Sequence, residues 1–88
     1  MHSAHLRIVN ERGLHARAAA KFVALAGSFD AEVRVTHHDI TVPGVSIMGL
    51  LLLGAGRGCE IEVVCEGVQA AAALTALKAL VADGFSET

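Results

Sequence analysis

Residues 31–54, "AEVRVTHHDITVPGVSIMGLLLLG", change their hydrophobic period halfway along, and this change decides the fold. Val33 and Val35 alternate with polar neighbours, which is the period-2 pattern of a half-buried strand. After a short polar break, "ITV" at 40–42 continues as a second strand, so we predict a hairpin, although the favoured Asn-Gly turn is absent. Pro43 cannot donate to a central ladder and should end that second strand.

A short helix should follow the hairpin. Ser46 is a preferred N-cap residue, and the run "IMGLLLL" after it should extend to a C-cap at Gly54. Leu50 and Leu53 lie three apart and can face the core. The apolar residues left on the other side are Ile47, Met48, Leu51 and Leu52. An exposed apolar patch usually marks an interaction site, but burial of most of these four in a protein short of core remains the alternative.

The flanking segments add two strands and two helices, which gives the order β-α-β-β-α-β-α. Residues 4–9, "AHLRIV", and residues 60–66, "EIEVVCE", alternate like half-buried strands, the second with a solvated acidic face. One helical stripe begins at His15 and should end at Gly27, and another fills residues 69–83. The stripe residues are Ala19, Phe22, Val23 and Ala26 in the first helix and Ala70, Ala73, Leu74, Leu77, Leu80 and Val81 in the second. Short strands with helices between them predict an α+β fold, a sheet covered by helices on one face.

Composition argues against several classes of function. A chain of 88 residues fits one compact domain, to which we assign residues 1–88. The formal net charge of -2, without a run of Lys or Arg and without Trp or Tyr, argues against binding nucleic acid. The longest apolar run, "VSIMGLLLLGAG", is shorter than the ~20 residues of a membrane-spanning helix, and no export signal opens the sequence. We therefore expect a soluble, cytoplasmic protein without membrane insertion.

Three further features carry no chemistry that we would assign. Cys59 and Cys65 lie six apart on one predicted strand, too far for a disulfide, so both should be reduced. The histidines outside the helix start are the pairs His2 with His5 and His37 with His38. No Cys or carboxylate cluster completes a tetrahedral set beside them, so we expect surface histidines and no metal. The "GAGRG" segment at 54–58 follows a helix and precedes a strand, the reverse of a dinucleotide fingerprint, and we interpret it as a flexible connector.

The sharpest feature is "ERGLHARAAAKFV", residues 11–23, which sets a histidine and an arginine two apart at the start of a helix. Gly13 allows a sharp turn, and His15 then lies at the N-cap boundary, where the unpaired N–H groups of residues 16–18 gather positive potential. A neutral imidazole nitrogen is a good nucleophile, and a phosphoryl group attached to it would meet those donors. Arg17 can reach the same oxygens with its planar guanidinium. On spacing alone, a surface histidine beside an unrelated arginine remains an alternative.

Two motifs resemble those of one family. "GLHARAAAKFV" resembles the active-site motif of HPr, the histidine-containing phosphocarrier of the bacterial phosphoenolpyruvate-dependent phosphotransferase system. "SIMGLLLLGAGRGCEIEVVCEG" is similar to the family's second signature, around a regulatory serine. The resemblance runs along essentially all 88 residues. It implies an open-faced β-sandwich of four antiparallel strands with three helices on one face, which agrees with the predicted order of elements.

Carried over position by position, the resemblance implies a phosphocarrier that does not turn over alone and is therefore not an enzyme. His15 would accept the phosphoryl group through Nδ1, and Arg17 would pair with it. Ser46 falls on the position that a dedicated kinase, HPr kinase/phosphorylase, modifies in some bacteria. The implied partners are enzyme I, which consumes phosphoenolpyruvate, and enzyme IIA domains, which would dock on the face from Ile47 to Leu52. The resemblance implies no bound cofactor, and we expect a monomer.

The sequence also departs from the family pattern. Ala18 stands where the family usually has Pro, so we expect a looser first turn but a working site. The positions that are often basic in sugar-transport members are Ala24, Gly27, Val45 and Gly49 here, so docking should rely more on apolar contact. The ending "DGFSET" resembles the nitrogen-related regulatory branch. The pathway stays open between sugar uptake and nitrogen or carbon regulation, and the alternative from another class is a binding module without phosphoryl chemistry.

Overall fold

The structure, a computed structural model, describes residues 1–87. Its helices and strands follow the predicted order and are β1 (His2–Arg7), α1 (Ala16–Ala26), β2 (Glu32–His37), β3 (Ile40–Pro43), α2 (Ile47–Leu52), β4 (Glu60–Glu66), α3 (Ala70–Ala82) and a final 3-10 turn (Gly84–Ser86). Among these residues, no helix combines the length and the apolar character needed to cross a membrane.

The four strands form one antiparallel sheet in the order β1-β4-β2-β3. β2 and β3 are the predicted hairpin: His37 lies opposite Ile40, which leaves His38 and Asp39 as a two-residue turn. His38 has a left-handed backbone with φ 56°, the conformation that Asn or Gly usually supplies in such turns. Pro43 is the last residue of β3, an edge strand, where the missing N–H removes no ladder bond on the open side.

One face of the sheet carries the core, and the helices cover that face. Alternate side chains along the two central strands are buried, and they are Val33, Val35, Ile61, Val63 and Cys65. The helices contribute to the same hydrophobic cluster through Phe22 of α1, Leu50 of α2 and Leu77 of α3. Val23 and Leu80, which lie on the predicted stripes, are partly buried and pack against this cluster. The architecture is therefore the open-faced β-sandwich that the resemblance implies.

β1 begins and ends two residues earlier than predicted, at His2 and Arg7. It begins earlier because His2 pairs with Cys65, close to the end of β4. It ends earlier because the next residue bonds outside the ladder: the carbonyl of Ile8 accepts the Gly58 N–H at 2.8 Å. This bond ties the end of the "GAGRG" connector, which we predicted to be flexible, to the end of β1.

The ends of two helices test the capping predictions. α1 is bounded as predicted, with His15 as N-cap and Gly27 as C-cap. α2 begins after the predicted N-cap Ser46, but its C-cap is Leu53 and not Gly54. Gly54 follows with a left-handed φ of 62°, so it occupies the position after the cap, where glycine is most favoured.

The prediction that His37 is a surface residue is wrong. Its side chain is buried, and its Nδ1 lies 2.8 Å from the carbonyl oxygen of Leu53 at the end of α2. Alternate residues of β2 face the core, and His37 is one of them. The contact with the Leu53 carbonyl satisfies a ring nitrogen that would otherwise be buried without a partner. Cys59 and Cys65 are unpaired thiols, as predicted. Within residues 1–87, no set of three or more His, Cys, Asp or Glu side chains is placed to hold a metal ion.

Candidate functional site

The chain enters α1 through a tight turn at Gly13. The φ of Gly13 is 66°, and a Cβ there would lie 2.8 Å from the carbonyl oxygen of Ala55, so a larger residue would be both strained and obstructed. The N–H of Leu14 donates to the same Ala55 carbonyl at 2.9 Å. Inside the turn, the Asn10 Nδ2 donates to the Gly13 carbonyl at 2.8 Å. These bonds fix the direction in which the next residue, His15, leaves the turn.

His15 is the N-cap residue of α1 and has an extended backbone, with φ -83° and ψ -179°. Its carbonyl accepts the first bond of the helix, from the Ala19 N–H at 2.8 Å. The N–H groups of residues 16–18 precede that bond and have no carbonyl one turn earlier in the helix. The imidazole makes no capping bond to them. The positive end of α1 is therefore open to an external anion.

The imidazole of His15 instead contacts the end of the chain. Its Nε2 lies 2.9 Å from Oε2 of Glu87, which is 72 residues further along. Both side chains are largely buried, with 18% and 19% of their surfaces exposed. The structure shows no partner for Nδ1 within residues 1–87, since every hydrogen bond of this ring runs through Nε2. The two ring nitrogens are thus distinct: Nε2 contacts a carboxylate, and Nδ1 has no hydrogen-bond partner in the described part of the chain.

Glu87 is itself held from the opposite side by the turn before α1. Its Oε1 accepts the Arg12 N–H at 3.3 Å, and its Oε2 accepts from the Asn10 Nδ2 at 3.3 Å. Partial burial tends to raise the pKa of the Glu87 carboxyl, but the hydrogen bonds from Arg12, Asn10 and His15 together hold this pKa below its usual value. The carboxyl is therefore ionised at neutral pH and can only accept hydrogen bonds.

A shallow cavity of about 220 Å³ opens beside His15. Its cationic lining comes from Arg12, Arg17 and Lys21, and its acidic lining from Glu11 and Glu87. Arg17 lies in the first turn of α1 and is exposed, so its guanidinium is available to a ligand near the helix end. Three cations line the cavity that His15 also lines, next to the N-terminus of α1, and this arrangement suits a small multiply charged anion.

Ala18, which stands where the family usually has Pro, lies in the first turn of α1. Ala18 is buried, with 1% of its surface exposed, and belongs to the hydrophobic core cluster. Its methyl group therefore anchors the turn that carries the free N–H groups. The looser first turn stays a prediction.

α2 begins differently, because its N-cap side chain bonds its own helix. The Oγ of Ser46 accepts the Gly49 N–H at 2.9 Å, as predicted for a serine N-cap. Leu50 and Leu53 are buried, as predicted. The four side chains on the other face are Ile47, Met48, Leu51 and Leu52, with exposed fractions of 41%, 72%, 37% and 71%. These four, called the α2 patch below, form an exposed apolar surface.

α1 and α2 lie side by side and run in opposite directions. At one end, the Leu14 N–H bonds to the Ala55 carbonyl just beyond α2. At the other end, a Cβ on Gly27 would lie 4.0 Å from the Cγ1 of Val45, just before α2. Ser46 therefore lies toward the far end of α1 from His15, and the α2 patch extends from Ser46 toward His15.

Glu87 and Asn10 contribute to the site although neither was predicted from the sequence. Neither residue belongs to the His-x-Arg motif, and Glu87 reaches His15 only because the chain reverses after α3. The available signal was Gly84 followed by a short acidic ending, which indicates a turn but not where the carboxylate arrives. The turn takes left-handed φ values at Gly84 (65°), Phe85 (57°) and Ser86 (58°), and the last two are uncommon for such residues.

Known proteins match the chain along most of its length. The family model described as "PTS HPr component phosphorylation site" matches residues 2–83. The phosphocarrier protein HPr of Neisseria meningitidis serogroup A is 45% identical over 82 residues, which cover 93% of this chain and 92% of that protein. The phosphocarrier protein NPr of Shewanella violacea is 44% identical over 80 residues, which cover 91% of this chain and 88% of that protein.

Solved structures match the fold as well. A crystal structure of an HPr from Thermoanaerobacter tengcongensis has a TM-score of 0.95 and 35% identity, and covers 100% of this chain and 99% of that one. A crystal structure of an HPr dimer from the same organism has a TM-score of 0.79 and 36% identity, and covers 99% of this chain and 100% of that one. The order of helices and strands described above is the order found in these structures.

Proposed function

Because the chain belongs to the HPr family of phosphocarrier proteins, we propose that it carries a phosphoryl group on Nδ1 of His15 from enzyme I to enzyme IIA domains. The observation that carries this proposal is the pair of unlike nitrogens on one ring. Nε2 contacts a carboxylate at 2.9 Å, while Nδ1 has no hydrogen-bond partner among residues 1–87, and His15 itself is the N-cap residue of α1. A nucleophile and the donors that would receive its product thus lie together.

The transfer needs only a few groups of this chain. The lone pair of Nδ1 forms the nitrogen–phosphorus bond while the bond from phosphorus to the donor atom of enzyme I breaks, and that bond's electron pair stays on the donor. Arg17 and the N–H groups of residues 16–18 stabilise the charge on the phosphoryl oxygens. Discharge onto an enzyme IIA domain reverses these events. The chain ends each cycle unchanged, so it acts as a carrier and needs no bound cofactor of its own.

Docking of both partners is assigned to the α2 patch. The patch is apolar, exposed and directed along α1 toward His15. The basic residues often found at four nearby positions in sugar-transport members are absent here, which favours apolar contact over charge pairing. Such contacts should be small and transient, because a relay that binds tightly cannot turn over. We place the protein in the cytoplasm as a monomer; light scattering during gel filtration tests the monomer, since a related HPr forms a dimer in a crystal.

Ser46 is proposed as a regulatory site for a dedicated kinase. Its hydroxyl already lies beside the Gly49 N–H, so a phosphate there would meet the positive end of α2. The same phosphate would border the α2 patch, where docking would have to desolvate it. Incubation with HPr kinase/phosphorylase and ATP, followed by peptide mapping, tests whether Ser46 is modified.

The nitrogen-related regulatory branch is the second candidate. The ending "DGFSET" favours it, whereas the identities to an NPr (44%) and to an HPr (45%) do not separate the two branches. The branches are distinguished by the donor: phosphoryl uptake is measured with enzyme I of the sugar system and with its nitrogen-related counterpart, at matched concentrations. The donor that phosphorylates the chain faster by at least tenfold, about 1.4 kcal/mol in transition-state stabilisation, identifies the branch.

The central experiment is incubation with enzyme I and phosphoenolpyruvate, followed by intact mass under alkaline conditions that preserve phosphohistidine. We expect the mass of one phosphoryl group on the wild type and on His5→Ala, an exposed histidine on the open face, and none on His15→Ala. A binding module without phosphoryl chemistry predicts no added mass on any of the three. Label on another histidine in His15→Ala would also overturn the assignment.

A further inference from the structure

A built contact joins the end of the chain to His15. Glu87 bonds Nε2 of His15, the Asn10 side chain and the Arg12 N–H at once. The turn before it is anchored by Phe85, whose side chain is 1% exposed and lies in the core. Lys21 of α1 donates to the Phe85 carbonyl at 2.7 Å. The carboxylate is thus delivered by a turn that the core and α1 hold in place.

The chemistry of this contact decides which nitrogen of His15 carries the proton. An ionised carboxylate has no hydrogen to donate, so Nε2 must be the donor in the 2.9 Å bond to Glu87. A neutral imidazole has one N–H, and its other nitrogen then presents a lone pair. With the proton on Nε2, that lone pair is on Nδ1. Without Glu87, the ring could place the proton on either nitrogen.

We infer that Glu87 is a positioning residue for phosphoryl transfer, which holds the proton of His15 on Nε2 so that Nδ1 faces the donor as the nucleophile. The inference rests on the proposed function, since it assigns a role within that transfer. It names a residue outside the His-x-Arg motif and 72 positions away from the acceptor. Asn10 and the Arg12 N–H act through Glu87, because they hold its carboxylate and not the ring.

The same carboxylate stabilises the ring while the new bond forms. When the Nδ1 lone pair bonds to phosphorus and the donor's bond to phosphorus breaks, the Nε2 proton stays in place and the ring gains positive charge. Glu87 is the carboxylate that contacts this ring, at 2.9 Å. It stabilises the developing imidazolium without taking its proton, as the acidic residue does in Ser-His-Asp triads. On discharge the charge disappears and the ring returns to the same tautomer.

The test compares Glu87→Gln with Glu60→Gln. Both remove one negative charge, but Glu60 is exposed on β4, on the face of the sheet that the helices do not cover, and it does not line the cavity beside His15. Single-turnover transfer from enzyme I should slow about tenfold in Glu87→Gln and stay within about twofold of wild type in Glu60→Gln. Proton–nitrogen correlation spectra of the imidazole should show the Nε2–H form in the wild type and a mixture of tautomers in Glu87→Gln. The position of phosphate on the ring, read by phosphorus NMR, should also become mixed.

The outcomes separate the two proposals. If the wild type takes up no phosphoryl group, the proposed function fails before Glu87 is at issue. If the wild type is phosphorylated on His15 and Glu87→Gln matches it in rate and tautomer, the inference alone fails. Glu87→Asp keeps the charge on a shorter side chain and should recover part of the rate. A slow Glu87→Gln variant with an unchanged tautomer, or with a collapsed melting temperature, would assign Glu87 a merely structural role and overturn the inference.

Discussion

The motifs around His15 and Ser46 lie at the starts of two helices, and these two helix starts are built in opposite ways. At α2 the N-cap is Ser46, whose hydroxyl bonds the Gly49 N–H of its own helix. At α1 the N-cap is His15, whose side chain leaves the helix uncapped and bonds Glu87 instead. Capping stabilises a helix by about 1 kcal/mol, so α1 gives up that stabilisation at its start. The difference teaches that the N-terminus of a helix can be capped by a side chain, which adds stability, or left uncapped, which leaves its N–H groups available to an anion.

Replacing His15 with Ser should turn the start of α1 into a copy of the start of α2, and it has the largest expected effect. Phosphoryl uptake from enzyme I should be lost completely. The free energy of unfolding should change by less than about 1 kcal/mol, because the new cap offsets the lost contact to Glu87. Intact mass and urea unfolding measure the two quantities. Phosphoryl uptake by His15→Ser at the wild-type rate would show that the open start of α1 is not the acceptor site.

Gly13→Ala and Gly54→Ala form a matched pair at the approach to α1 and the exit from α2. Both glycines have φ above 60°, but a Cβ on Gly13 would meet Ala55 at 2.8 Å, whereas a Cβ on Gly54 would meet nothing within 4 Å. Gly54→Ala should lower the free energy of unfolding by about 1 kcal/mol, and Gly13→Ala by about 3 kcal/mol. Equal losses in urea unfolding would mean that the approach of the turn to Ala55 does not constrain α1.

Arg17→Lys tests what the planar guanidinium of Arg17 adds to the N–H groups at the open start of α1. Lysine keeps the charge but loses the planar pair of donors, so single-turnover transfer should slow about tenfold with little change in melting temperature. Arg57→Lys is the control, because Arg57 is exposed in the connector and does not line the cavity beside His15. An Arg17→Lys rate equal to wild type would show that the N–H groups suffice.

The fold was predictable because its signals are local and periodic. The valines of β2, the alternation of β4 and the serine before α2 each indicate one element, and the structure confirms all of these. The strand ends were less predictable, because β1 is set by its pairing with β4 and not by its own residues. Alternate residues of β2 are buried, and His37 continues this alternation. The burial was not predicted because histidine is a polar residue type.

The candidate site was only half predictable, because some of its residues are neighbours in the sequence and others meet only through tertiary contacts. His15 and Arg17 lie two residues apart at one helix start, so their closeness along the chain is visible in the sequence, and both line the same cavity. Glu87 reaches the ring through a turn in which Phe85 takes a left-handed conformation that its residue type disfavours. Burial of its aromatic ring in the core holds that conformation. Tertiary packing of this kind leaves no short-range pattern in the sequence.

Ser46→Asp and Ser46→Ala test whether the capped start of α2 can regulate the open start of α1. Asp also caps a helix, so it should keep the melting temperature, while Ala should lower stability by about 1 kcal/mol. The charge of Asp next to the α2 patch should slow phosphorylation of His15 by enzyme I about threefold, and added salt should restore part of the rate. A wild-type rate for Ser46→Asp at low ionic strength would separate Ser46 from docking. Loss of rate with a collapsed melting temperature would point to a damaged α2.

The smallest effect is expected from lowering the pH. Acid should change the stability contributed by Glu87, which contacts the N-cap residue of α1, but not that contributed by Ser46, the N-cap of α2. Ser46 does not titrate, whereas the pKa of Glu87 is held below its ordinary value of 4.5. A lowered carboxyl pKa contributes stability that is fully present above the unfolded value and is lost as pH falls through the folded value. The free energy of unfolding of wild type minus that of Glu87→Gln should therefore be present at about pH 5 and should shrink as the pH falls further. Arg34 lowers the pKa of Glu66 in the same direction, but that pair is common to both proteins and cancels in the difference. A difference that does not change on acidification would mean that the contacts of Glu87 add nothing to the folded state.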